Sequence, residues 1–347
     1  MQFSDVVKTI TREDIVPKVY DTILAGNVSL LRHLGNAQPW GSGFRKDVIV
    51  KYRKSTNGGL VGIGGTLDTS RENTRVKLSF DPKRRHKSIV MDDIEVTLNQ
   101  GDERVLELLA TEMSSIAQDL LDDAGNDFYQ GSGSGENFDS ILNSADDSTN
   151  YSTYGGKSRS TYTSIRGYLS TSVGALALAD LSTAHSSVKL GSDKPTLMTT
   201  DTTGWTAYEG LLQPTVKAGY QTNGYPQVTR MGDMASQAAL RGDIGFDAIW
   251  YRGTPVVEDE KCTSGSMFFE NERYFKFHGI DLAGYEKINI NDDQVDGPQA
   301  APIPRGFNYS GLLRPSNQPA EVGHLYIVGN YVSYDPRRTG QLTGITG

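Results

Sequence analysis

The chain has 347 residues, 34 Lys+Arg against 42 Asp+Glu, a formal net charge of -8, and 37% hydrophobic with 9% aromatic content. It is long enough for one large or two ordinary domains and apolar enough to bury a core, which excludes a wholly disordered chain, and its acidity argues against tight nucleic-acid binding over the whole surface. The single Cys262 excludes an internal disulfide, the opening MQFSDVVKTITRED carries acids where a signal peptide has an apolar stretch, and no run approaches the ~18 apolar residues of a membrane helix, so a reducing, intracellular setting without a membrane is expected.

Residues 5 to 35 alternate weak helical patches with the breakers Pro17 and Gly26 and read as an arm. From Phe44 to Tyr52 the pattern has period two, with Val48, Val50 and Tyr52 on one side and Lys51 and Arg53 on the other, which predicts a strand. A glycine-rich segment, Gly58 to Gly65, precedes two more alternating runs, Val76-Leu78-Phe80 and Ile94-Val96-Leu98. The basic Lys83-Arg84-Arg85-His86-Lys87 lies between those runs, which predicts a long projecting β-hairpin with a charged tip. Between Gly101 and Gln130, Leu106, Leu109, Met113, Ile116 and Leu120 fall on one face of a helix, with Asn99 or Asp102 as N-cap, and Gly131 to Gly135 ends it.

Residues 143 to 172 are rich in Ser, Thr, Tyr and Gly and read as extended loop or hinge. A short helix over 175–185, a strand at Pro195-Thr196-Leu197-Met198 and a helix capped by Asp201 or Thr202 and carrying Trp205, Tyr208, Leu211 and Leu212 follow. Further strands are predicted at 246–257, broken by a turn at Gly253, at 266–269 and at 325–334. Helices and strands mix without βαβ alternation, so the fold class is α+β.

Chemistry is thinly supplied. Five histidines, no HExxH and one cysteine leave zinc chemistry without support; Cys262 and His278 make a thiolate-imidazole pair conceivable, against a plain structural cysteine. Gly156-Lys157-Ser158 ends like a phosphate-binding loop, but Tyr151 occupies the first glycine's place, and neither glycine-rich run completes G-x-G-x-x-G. The pairs Asp92-Asp93, Asp122-Asp123, Asp146-Asp147 and Asp292-Asp293 read as solvated acid, because sequence neighbours point apart. The basic segment fits phosphate or an acidic patch on a neighbouring subunit; the second is favoured, because the interleaved aromatics of a single-strand binder are missing. No catalytic site, cofactor or metal is assigned.

An arm, a long hairpin, a long helix and a loop-rich segment in this order resemble the major capsid proteins of tailed bacteriophages, with the Hong Kong 97-type capsid fold, over nearly the whole chain. The words that carry the resemblance are Asn137-Phe138-Asp139-Ser140-Ile141-Leu142-Asn143, Lys194-Pro195-Thr196-Leu197-Met198 before Trp205, Arg252-Gly253-Thr254-Pro255-Val256-Val257, and Val328-Gly329-Asn330 through Arg337-Arg338 to Leu342-Thr343-Gly344. The resemblance implies an N-terminal arm at 1–43, an extended loop with flanking strands at 44–99, a peripheral domain with its spine helix at 100–159, an axial domain at 160–290 and a return to the periphery at 291–347. It further implies hexamers and pentamers closing an icosahedral shell around double-stranded DNA, a portal protein, a decoration protein and, since the arm starts near Met1, a scaffolding protein that is separate or unnecessary. The virion would be its location, after assembly in the host cytoplasm. Subunit-interface residues are expected at Phe80, Lys83, Arg84, Arg85 and Lys87, and at Arg337 and Arg338. An encapsulin-type cellular shell, a soluble enzyme using Cys262 and a nucleic-acid-binding module stay open as alternatives.

Overall fold

The computed structural model describes residues 28–92, 102–212, 248–283, 285, 305–316 and 320–346, with the backbone alone for 28, 102–111, 113, 114 and 248. In chain order, helix α1 (Val28–Gly35) leads to strands β1 (Gln38–Pro39), β2 (Lys46–Lys51), β3 (Arg75–Phe80) and β4 (Lys83–Asp92). Helix α2 (Asp102–Gln130) and the single turn α3 (Ile141–Ser144) precede β5 (Thr153–Tyr154), β6 (Lys157–Ser158), β7 (Tyr168–Ser170) and β8 (Gly174–Ala175). Then come α4 (Leu178–Val188), β9 (Leu197–Thr200), α5 (Thr202–Leu211), β10 (Ala248–Tyr251), β11 (Thr254–Glu258), β12 (Ser266–Glu270) and β13 (Phe275–Gly279). The chain ends through β14 (Phe307–Tyr309), β15 (Ala320–Ser333), β16 (Gly340–Thr343) and β17 (Ile345–Thr346). Two mixed sheets with helices make the class α+β, as expected.

The first sheet is organised by β15, whose 14 residues pair antiparallel with β4 from Ala320↔Asp92 to Gly329↔Lys83, with β14 and with β13. Helix α2, 29 residues and thus about 43 Å long, lies against this sheet. Ile116 and Leu120 of the predicted stripe meet it, joined by Leu121, Ala124 and Phe128. Opposite them are Ile89 and Met91 of β4 and Phe275, Phe277, Leu325, Ile327 and Tyr331; each fully buried large side chain contributes about 1.5–3 kcal/mol. The side chains of Leu106, Leu109 and Met113, the proposed cap Asn99, the strand residues Ile94, Val96 and Leu98, and the arm before residue 28 lie outside the described residues. Gln130 is the last helical residue, and the chain turns back so closely after it that a Cβ on Gly131 would overlap the carbonyl oxygen of Phe138.

The second sheet runs β10-β11-β9-β12-β16-β7. Asp201 caps α5 as predicted, its Oδ1 accepting from Gly204 N at 3.0 Å. The predicted break at Gly253 is a two-residue turn in which Arg252 and Gly253 have φ of 49° and 73°, the left-handed pair a tight hairpin requires. Strand β12 is buried at all five positions because it lies between two cores: Phe268 joins the α2 layer, while Met267 and Phe269 join Leu181, Val188, Met198, Tyr208 and Val256. A strand buried on both faces loses its alternation and reads as a short continuous apolar run, as the strand expected at 266–269 does.

Three expectations need correction. The hairpin forms from β2 and β3, in register from Lys46↔Phe80 to Lys51↔Arg75, so its tip is the glycine-containing stretch 52–74. The basic segment is therefore no tip: residues 83–87 open β4, where Arg85 and Lys87 continue the inward face of Ile89 and Met91, their aliphatic stems tolerating that position. Residues 143–172 are irregular, as read, yet packed, for Tyr154, Arg159 and Ile165 are all buried there.

Candidate assembly surfaces

The β2–β3 hairpin buries one face and exposes the other. Val48, Val50, Val76, Leu78 and Phe80 join Tyr154, Ile165 and Val332 in a small core. On the outer face Asp47 accepts from Lys77 Nζ at 2.8 Å and Ser79 Oγ at 2.6 Å, which holds its carboxyl below the usual range. Beyond Lys51 one more backbone bond, Tyr52 N to Thr74 O at 3.0 Å, is followed by side-chain ties: Tyr52 Oη donates to Asn73 O at 2.8 Å, and Glu72 accepts from Ser55 Oγ at 2.9 Å and Thr56 N at 2.8 Å. These donors, Thr56 foremost, lower Glu72 to about 2. The tip presents Leu60 and Ile63 at 108% and 112% relative exposure, with Val61 and Leu67 beside them. Branched aliphatics thus lie exposed together on one loop.

The expected interface residues divide. Phe80 is 1% exposed and set edge-on to Tyr154 at 5.4 Å, so its place is the chain's own core, and an outward role for it is overturned. Alternation along β4 splits the basic segment. Lys83 donates to Gly135 O; Arg85 grips Asp127 with two nitrogens and Asp123 at 3.2 Å; Lys87 meets Asp123 at 3.0 Å. Arg85 and Lys87 thus fasten the sheet to α2, and Lys83 ties it to the loop that follows the helix. Burial raises the Asp127 carboxyl even against Arg85, so the pair is a partly desolvated brace. Arg84 points the other way, over the Tyr326 ring at 5.2 Å. Arg337 pairs with Asp335 at 2.9 Å; Arg338 reaches Asp335 at 3.2 Å and Asp193 at 3.0 Å and covers Tyr274, so both brace the turn before β16.

The thiolate-imidazole pair does not form. Cys262 Sγ lies 3.6 Å from the carbonyl of Ser266, and burial pushes its thiol well up; His278 places its nitrogens on Pro39 O at 3.1 Å and Tyr334 Oη at 2.8 Å. Among the described residues no group of three or more His, Cys, Asp or Glu is arranged to hold a metal, and no described helix is long and apolar enough to cross a membrane.

Two polar bolts escaped sequence reasoning. At the first, α1 docks on buried acids: Ser29 Oγ and His33 Nε2 meet Glu270 Oε2 at 2.7 and 2.9 Å, and Thr199 Oγ1 donates to Oε1 at 2.8 Å. Ser29 N and Tyr129 Oη donate to Asp259 Oδ2 at 3.2 and 3.0 Å, and Arg32 forks onto Glu272. Burial raises Asp259 to about 6. At the second, Asn330 Oδ1 accepts from the amides of Asp139 and Tyr331, both at 2.9 Å, while its Nδ2 donates to Asp81 O and Asp139 Oδ2, both at 2.8 Å. This ties β15 to the β3–β4 turn and to the chain after α2; Asp139 too is raised to about 6 by burial. Glu270, closing the apolar run Ser266-Met267-Phe268-Phe269, was the available signal for the first bolt.

No protein-family model and no curated protein matches the chain. Solved structures do. The cyanophage A-1(L) capsid asymmetric unit aligns with a TM-score of 0.71 at 15% identity over 99% of each chain. The capsid of an empty GTA particle aligns at 0.57 and 10% identity, over 98% of this chain and 96% of that one. The SrpI encapsulin from Synechococcus elongatus aligns at 0.54 and 9%, over 100% and 96%. Two of the three are capsid proteins and one an encapsulin, and each alignment runs over nearly the whole of both chains. Long helix, paired sheets, projecting hairpin and these likenesses together give the chain the fold of phage capsid proteins.

Proposed function

We propose that the chain is the major capsid protein of a tailed phage, with the Hong Kong 97-type arrangement of arm, extended loop, spine helix, peripheral and axial domains. Its subunits assemble as hexamers and pentamers into an icosahedral shell enclosing double-stranded DNA, joined by a portal protein and by scaffolding and decoration proteins where they are used; the role is structural, with no catalysis. The observation that carries this reading is the alignment with the cyanophage capsid subunit over 99% of both chains. The exposed aliphatic tip of the hairpin agrees with it, because a monomer leaves that surface in water and a neighbouring subunit covers it. Arg84, as the outward cation of β4, and Arg337 stay candidate contact residues; Lys83, Arg85, Lys87 and Arg338 act on contacts through the braces they form.

The encapsulin likeness supports a second reading, a cellular shell around a protein cargo. Sedimentation of the purified chain followed by negative-stain microscopy tests both. Closed particles or rings of five and six are expected, with nucleic acid inside for a phage shell and protein cargo for an encapsulin. A monodisperse monomer under assembly conditions overturns both.

A further inference from the structure

The alternation that commits Arg85 and Lys87 to α2 and Lys83 to the loop after it turns Arg84, His86 and Ser88 outward, and all three are exposed. Opposite them on β15 stand Val328, Tyr326 and His324. Arg84 stacks over the Tyr326 ring at 5.2 Å; the His86 and His324 rings lie 6.2 Å apart, edge to face; Ser88 Oγ meets His324 Nδ1 at 2.9 Å. Tyr285 closes the group against Tyr326 at 5.8 Å. Among the described residues Arg84 makes no ion pair, whereas Arg85 beside it has two. The acid on this face of β4, Asp92, is six residues from His86, about 20 Å along a strand. An acidic protein thus keeps one guanidinium braced on an aromatic ring, two imidazoles and a hydroxyl together, facing solvent, with no carboxylate among them.

We propose that this outward face of β4 and β15 binds the phosphodiester backbone of duplex DNA. The assignment rests on the shell reading for its ligand and on geometry for its chemistry. A braced guanidinium presents its N–H fork to phosphate oxygens, and an N–H of the His86 imidazole beside it suits the same acceptors, while Ser88 and His324 hold each other in place. The aromatics whose absence from the basic segment favoured a protein partner are present after all, supplied by the next strand. Their rings already contact one another and Arg84, so they stiffen the guanidinium and leave no open platform for unpaired bases. Backbone phosphate is therefore the target, and binding is independent of base sequence.

The test titrates a labelled 20-base-pair duplex with the unassembled full chain by fluorescence anisotropy at about 50 and about 200 mM salt, with polyglutamate as the competing polyanion. The Arg84→Gln/His86→Gln double variant, which alters only exposed side chains, is expected to bind about tenfold more weakly and to lower the salt slope by about 1, while Arg337→Gln behaves as wild type. Unchanged affinity in the double variant, or wild-type preference for polyglutamate over the duplex, overturns the inference. In parallel, double-variant shells that close but retain less DNA support it. A double variant that folds but forms no shells makes the face a contact between copies and overturns it, with the shell reading intact. A wild-type chain that never forms shells defeats the shell reading alone, and the duplex titration still decides this one.

Discussion

Replacing Asp259 by asparagine probes the α1 bolt through the pH dependence of stability. Asp259 is 1% exposed, and burial raises its carboxyl from 3.8 to about 6 against the opposing pull of Ser29 N, Lys261 N and Tyr129 Oη. The groups facing it are Tyr129, Cys262 and Glu270, with His33 on the far side of Glu270; the Glu270 charge adds to the raising. The folded protein therefore holds this proton more tightly than the unfolded chain does. The stability it confers is fully present below 3.8 and is lost as pH rises through about 6, a loss of about 3 kcal/mol across that window. Asparagine carries no proton to lose, although its amide meets one donor badly, a penalty of about 1–3 kcal/mol that is the same at every pH. Urea unfolding of the unassembled subunit, followed by tryptophan fluorescence, gives both stabilities, and their difference cancels every other titrating group. The variant is expected to gain on wild type by up to about 3 kcal/mol between about pH 4 and about pH 7.5. A difference that stays flat to within about 0.5 kcal/mol refutes the reasoning.

Arg159→Met removes a fully buried guanidinium that donates to Tyr151 O at 2.9 Å, to Asn143 and to Asp146. It should cost about 3–5 kcal/mol by denaturant unfolding, toward the lower figure because Asp146 keeps the amides of Ser148, Asn150 and Tyr151; a loss under about 1 kcal/mol contradicts the assignment. Leu60→Ser with Ile63→Ser should leave subunit stability within about 0.5 kcal/mol of wild type and abolish particles in negative stain, since both side chains are wholly exposed in the single chain; particles of normal yield would remove the tip from the assembly surface. Gly131→Ala drives a methyl into the Phe138 and Asp127 carbonyls and should cost about 2 kcal/mol or more in thermal unfolding, whereas Gly59→Ala, with open space around it, should be near neutral.

What the sequence made legible was whatever depended on local periodicity or on a single special residue. The α2 stripe, the Asp201 cap and the turn at Gly253 belong there, because helical spacing, a short acceptor side chain and a positive φ leave local marks. Strands β13, β14 and β16 did not, since their residues are buried on contacts with distant segments: Phe277 on Tyr331, Phe307 on Ile327, Gly340 on Phe269. The bolts on Asp259 and Asn330 were hidden for a related reason. Each is a polar group whose donors come from segments far apart in sequence, 230 residues away for Ser29 and 191 for Asp139, and no short window contains both sides.

The basic segment shows how the two kinds of information combine. As a run of five, Lys83-Arg84-Arg85-His86-Lys87 looks like one charged object, and a tip was the natural place for it. Read two residues at a time, the same run extends into Ile89 and Met91, whose burial fixes the parity of everything before them. Asp123 and Asp127, four apart on α2 and so on one face, then meet Arg85 and Lys87, which leaves the even-numbered positions facing out. A one-residue slip of β4 against β15 would bury Arg84 and His86 over α2 and drive Ile89 and Met91 into water, so the register holding the sheet on the helix also determines which polar side chains remain available to a partner.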